Sequence, residues 1–191
     1  MEKHGCRVNL YSRILCFIIL ILMFFFPVHK SVFADDTLKE YSVKAAFTLN
    51  FARYAKWPDG SFAEKSSPCL LQVVGDRSIE QVFQTVSGEK IGSRKLMVNL
   101  GDNSHDTGIF HMIFICRSVN PSDVSQILAS VKGKPVLTIG EKKEFIKQGG
   151  MINFFTKNER LYFEVNMDIL RQQNVKLSSR LLKLAILVGD K

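Results

Sequence analysis

Two short stretches, Leu70–Val74 and Ile109–Ile115, are apolar at almost every position. A strand with one wet face alternates apolar and polar residues, whereas a nearly continuous run requires cover on both faces. The chain must therefore supply helices to both sides of a sheet. The spacing supplies them. Asp36 or Thr37 is placed to cap a long helix reaching Lys56, with Leu38, Tyr41, Ala45, Leu49 and Ala52 in one stripe and Phe47, Phe51 and Tyr54 beside it. Trp57-Pro58-Asp59-Gly60 ends that helix, because a residue before proline leaves the α region and Asp-Gly favours a turn.

Beyond a polar loop, Ser61–Pro68, strands and helices alternate. Strands are expected over Cys69–Gly75, Lys95–Leu100, Phe110–Cys116 and Pro135–Ile139. Helices are expected over Ser78–Val86, from Pro121 to near Gly133, and over Glu141–Lys147. Gly149-Gly150 turns the chain into two strands, Met151–Thr156 and Leu161–Asn166, joined across Lys157-Asn158-Glu159-Arg160. Ile152, Phe154, Leu161, Phe163 and Val165 form the apolar face of this hairpin, and Asn153, Tyr162, Glu164 and Asn166 its polar face. Asp168 opens a short helical stretch. Ser178 or Ser179 can cap a closing helix on which Leu181, Leu184, Ala185 and Val188 make a core-facing stripe. The expected fold is α/β: a mostly parallel sheet flanked by helices, with an antiparallel C-terminal hairpin and a closing helix.

The first 34 residues read differently. Lys3, Arg7 and Arg13 precede an apolar run from Ile14 to Phe26, Pro27 breaks it, and Val32-Phe33-Ala34 offers small residues at a cleavage site. Residues 1–34 are thus expected to be a cleaved signal peptide, and residues 35–191 a single periplasmic domain. The run is short for a spanning helix, which needs about 20 residues, so an uncleaved anchor is the lesser alternative. The mature chain keeps 22 basic and 17 acidic residues, a net charge of +5. These charges are scattered, with Arg94-Lys95 and Lys142-Lys143 the only basic doublets, so no nucleic-acid partner is expected. Cys69 begins one expected strand and Cys116 ends another. If the strands are parallel, the sulfurs lie at opposite ends and cannot pair.

Two strand ends are candidate ligand sites: Gly75-Asp76-Arg77 and Gly140-Glu141, each passing from strand to helix through a glycine. Ligands of open α/β sheets collect beyond such ends, although one glycine per turn also serves a plain tight connection. Asp102, Ser104, His105 and Asp106 share a polar loop but lack the ligand set of a zinc site and a held nucleophile–base pair. His111 is expected to be structural. No catalytic, metal or cofactor pattern appears. Composition and spacing alone reach an exported α/β domain.

Three groups of segments resemble the YfiR family. They are Val43–Pro58, VKAAFTLNFARYAKWP; the run from LLQVVGD at Leu70 through Ile91-Gly92-Ser93-Arg94 to His111-Met112-Ile113-Phe114-Ile115; and Leu137-Thr138-Ile139-Gly140 through Gly149-Gly150-Met151-Ile152, Phe163-Glu164-Val165-Asn166 and Leu181-Leu182-Lys183-Leu184-Ala185. The chain departs from the family pattern at Phe110, where a cysteine is expected, and has no cysteine pair near Gly149. The resemblance implies a non-enzymatic periplasmic regulator that represses an inner-membrane diguanylate cyclase through its periplasmic sensor region, controlling cyclic di-GMP and biofilm. An outer-membrane lipoprotein is implied as a further partner, and a homodimer is left open. Trp57, beside Pro58, is the expected partner-binding anchor, with packing of Trp57 against the first helix as its alternative. The competing functional reading is a periplasmic small-ligand-binding protein, or a cryptic enzyme, using the crevice near Gly75 and Gly140.

Overall fold

The two apolar runs lie side by side at the centre of an eight-stranded sheet. In the computed structural model, residues 32–100 and 110–189 are described, without the side chains of residues 32–35 and 100. The expected signal peptide and the Asp102–Asp106 loop therefore lie almost wholly outside the described residues. The chain divides into Met1–Asp36 and Thr37–Lys191, and the second unit carries the fold.

Helix α1 spans Val32–Tyr54 and runs into a two-residue strand, β1, Ala55–Lys56. Then follow β2 (Cys69–Val74), α2 (Arg77–Phe83), β3 (Lys90–Ile91), β4 (Arg94–Leu100), β5 (Met112–Ile115), α3 (Pro121–Ser130) and β6 (Leu137–Gly140). The chain closes with β7 (Ile152–Lys157), β8 (Arg160–Asn166), α4 (Met167–Gln172), β9 (Lys176–Leu177), α5 (Ser179–Leu182) and β10 (Ile186–Val188). The sheet order is β10-β8-β7-β6-β5-β2-β4-β3, parallel except for the β7–β8 and β3–β4 pairs. A separate ribbon pairs β1 with β9. No described helix is long and apolar enough to cross a membrane.

Both faces of the sheet are covered, as the apolar runs require. Tyr41, Ala45, Leu49 and Phe51 of α1, with Ile79 and Phe83 of α2, pack on Leu71, Met112, Phe114, Ile139, Phe154 and Phe163. On the other face Val124, Ile127 and Leu128 of α3, with Phe145, cover Val74, Ile113 and Ile115. The α1 stripe is buried at its centre, while Leu38 and Tyr54 at its ends are 37% and 40% exposed. The β7–β8 hairpin turns through Asn158 and Glu159, both at positive φ, the two-residue turn whose twist matches that of the strands. Cys69 and Cys116 are buried and free. Their strands β2 and β5 are parallel, and the two residues stand at opposite ends, as the strand reading requires.

Four local expectations are corrected. The first helix begins at Val32 rather than at a cap on Asp36 or Thr37. Residues 141–147 form successive turns instead of a helix. The Phe145 ring covers Gly140 and Gly150 so closely that a β-carbon at either would approach within 2.6 or 2.2 Å of it. The closing helix ends at Leu182, and residues 186–188 add a parallel edge strand to β8. Leu181 is buried, but Leu184 is 70% exposed, so the stripe is broken. β-Branched Ile186 and Val188 suit a strand better than a helix. Finally Asn153, placed on the wet face of the hairpin, is only 1% exposed, because the turns after β6 cover that face beside it.

Candidate functional site

Lys44 is the oddity from which the site can be built. It sits on the buried side of α1, between Tyr41 and Thr48, with a side chain only 2% exposed. A buried ammonium is costly unless it is paired and hydrogen-bonded. Its partner is Glu141, the residue following β6, whose side chain is also 2% exposed; Lys44 Nζ donates to Glu141 Oε2. Glu40, one turn back on α1, lies 2.6 Å from the same ammonium.

The remaining lone pairs of Glu141 are also occupied. Tyr41 Oη donates to Oε1 at 2.5 Å, and the backbone N–H of Arg117, just past β5, donates to it at 2.7 Å. The Arg117 guanidinium reaches Glu40 at 2.6 Å, the Tyr41 hydroxyl at 3.3 Å and Glu141 Oε2 at 3.6 Å. Burial, then the hydrogen bond and charge of Glu141, hold the Tyr41 phenol far above its ordinary range. Burial pushes the Glu40 carboxyl up, but Lys44 and Arg117 outweigh it and hold Glu40 below its ordinary value. Glu141 is saturated by donors and Tyr41 is held protonated. The cluster is an ionic knot that fixes α1 to the carboxyl ends of β5 and β6, and it leaves no free base.

The knot forms one wall of a cavity of about 590 Å³. β6 ends at Gly140, opposite Asn153, whereas β7 runs on to Lys157. The overhang of β7 and the turns carrying Lys143, Glu144 and Lys147 enclose the remainder. Asn153 Nδ2 donates to Glu164 Oε1 at 3.0 Å, while Asn153 Oδ1 is buried without a hydrogen-bond partner. An unmet buried acceptor costs about 1–3 kcal/mol.

The two candidate strand ends do not converge. β5 lies between β2 and β6, so Gly75 and Gly140 open onto different places. Gly75 and Asp76 line a smaller cavity of about 240 Å³ with Ser118, Asn120 and Asp123; its walls carry two carboxylates and no basic residue, which disfavours an anion. Gly75 itself is required by close approach, since a β-carbon there would lie 2.4 Å from Cys116 Cβ. Arg77 is exposed at the start of α2. Glu141 belongs to the larger cavity, and Gly140 lies under the Phe145 ring.

Trp57 and Pro58 lie elsewhere, lining a third cavity of about 610 Å³ with Phe62 and Arg94. The Trp57 indole is half-buried against the core, and its Nε1 donates to the His111 carbonyl at 3.2 Å. Phe62 is sandwiched between His111, with centroids 4.2 Å apart, and the Arg94 guanidinium at 3.6 Å. His111 Nδ1 accepts from the Leu70 N–H at 3.1 Å and its Nε2 donates to the Ser61 carbonyl at 2.9 Å, which sets a neutral ring with the proton on Nε2. Burial lowers its pKa in the same sense. His111 thus tethers the loop before β2, as a structural histidine would.

Sequence reasoning reached Glu141 but not Glu40, Tyr41, Lys44 or Arg117 as its partners. The usable signal was Lys44 itself, a cation three residues from Tyr41 and one before Ala45 in an apolar stripe. Among the described residues no group of three His, Cys, Asp or Glu side chains could hold a metal ion. A family model described as YfiR/HmsC-like matches residues 41–186.

Proposed function

The chain belongs to the YfiR/HmsC-like family, a regulatory rather than an enzymatic one, and on that premise we propose that it represses a membrane diguanylate cyclase from the periplasm. The observation that carries this reading is the family match itself, which spans nearly the whole of the folded unit. The geometry supports it in two ways. The charged cluster is spent on holding α1 to the sheet, which suits a rigid binding body. The edge strand β10 presents Ile186 and Leu187 at 52% and 47% exposure beside Leu184, and an open strand edge with apolar side chains is a template for a partner.

A soluble repressor shifts a membrane receptor only by binding its inactive state better than its active one. A preference of about 100-fold, roughly 2.7 kcal/mol, is ordinary allosteric coupling. Deleting the gene is expected to raise cyclic di-GMP and surface attachment. An exported copy should reverse both, and a copy lacking residues 1–34 should not. A Leu187→Arg variant is expected to fold with an unchanged melting temperature yet fail to repress. Cyclic di-GMP that stays level on deletion, across several growth conditions, overturns the proposal.

A further inference from the structure

We propose that the cavity beyond the carboxyl end of β6 binds a small organic amine, seating its ammonium between Asn153 Oδ1 and the Glu164 carboxylate. The orientation of the Asn153 amide is fixed, because its Nδ2 donates to Glu164 Oε1 at 3.0 Å. That leaves Oδ1 as a buried acceptor with no hydrogen-bond partner, on a residue 1% exposed that lines the cavity. Glu164 lines the same wall, opposite Asn153 in the β7–β8 register, and among the described residues no cation pairs with it.

The other charges of the cavity are matched or lie at its rim. Glu40 and Glu141 are met by Lys44 and Arg117, and Glu144 pairs with Lys147 at 3.0 Å. Lys143 remains, but it is exposed. The unmet demand inside is for a hydrogen-bond donor that also carries positive charge. A neutral hydroxyl would satisfy Asn153 and leave the Glu164 charge unanswered; an anion would satisfy neither. Phe155, stacked on Tyr162 with centroids 5.7 Å apart and on the same face of the hairpin as Asn153 and Glu164, offers apolar surface to the carbon chain of such a ligand. A volume of about 590 Å³ falls in the range of small-molecule sites.

The test is an NMR titration of the purified mature protein with n-butylamine, using n-butanol and sodium butyrate as neutral and anionic probes at matched ionic strength. Butylamine is expected to move the Asn153 side-chain amide signals saturably, and the other two probes are not. Charge-assisted hydrogen bonds are the strong kind, so Glu164→Gln should weaken butylamine about tenfold. Asn153→Ala, which removes the acceptor, should weaken it as well, read on the backbone amide of residue 153. Glu164 is half-buried, so Glu164→Gln decides the matter even where Asn153→Ala fails to fold. Shifts that stay linear with butylamine, equal binding of all three probes, preference for butyrate, or indifference to Glu164→Gln would each overturn the proposal. The readout needs no protein partner, so it stands or falls separately from the cyclase reading.

Discussion

The turns after β2 and β6 look alike in sequence, a glycine followed by an acid at the end of an apolar strand, yet they become different objects. Asp76 is exposed and caps nothing with its side chain, and the cavity beside it is small and acidic. Glu141 is buried and takes donors from Tyr41, Lys44 and Arg117. The local peptide does not make the difference. α1 lays a lysine and a tyrosine over the end of β6, and among the described residues nothing equivalent reaches the end of β2. A strand end becomes a charged centre when a distant element delivers the counter-charge.

Removing the acid at each turn should separate them most. Glu141→Ala leaves Lys44 buried with Glu40 as its remaining carboxylate partner, and breaking a buried pair costs about 3–5 kcal/mol. Asp76→Ala, at an exposed position, should stay within about 0.5 kcal/mol. Urea denaturation of the two variants reads both, and equal midpoints would break the comparison.

Removing the glycine should be costly at both turns. An added β-carbon meets Phe145 at 2.6 Å in Gly140→Ala and Cys116 at 2.4 Å in Gly75→Ala. Overpacking of this kind costs about 1–3 kcal/mol; Gly140→Ala should fall in that range by the same denaturation measurement, and Gly75→Ala at or above its upper end, because Gly75 also holds a positive φ of 155°. Both glycines are then structural necessities, whereas of the two acids only Glu141 is.

The smallest effect is in acid. Glu40 has its pKa depressed in the folded state, so the stability it contributes is complete above its unfolded value, about 4.5, and drains away as the pH falls through the lower folded value. Glu40→Gln should flatten that part of the profile. Melting temperatures taken from pH 6 down to pH 3 provide the check.

The sheet was legible in the sequence because its signals are local. A run such as Leu70–Val74 needs no knowledge of its neighbours to be placed between two layers, and Asn158-Glu159 between alternating strands sits where the turn falls. The closing segment was not legible, because Leu181, Leu184, Ala185 and Val188 satisfy a helical period while Ile186 and Val188 equally satisfy a strand. Pairing with β8, which no local pattern reports, decided it. The knot was hidden for a stronger reason: Tyr41 and Lys44 meet Glu141 across 100 and 97 residues of chain. Only the misfit of a lysine in an apolar stripe announced that something must answer it.

The ribbon of β1 and β9 gives the chain an order of assembly. Ala55, near the beginning of the folded unit, pairs with Leu177, near its end, and the Ser178 N–H closes on the Tyr54 carbonyl at 2.9 Å. A chain made from its N-terminus presents α1 and β1 first, and β1 finds its strand partner only when β9 arrives. Contacts of such long separation are slow to form. Shortening the C-terminus by some fifteen residues would remove the latch for the beginning of the domain as well as its end.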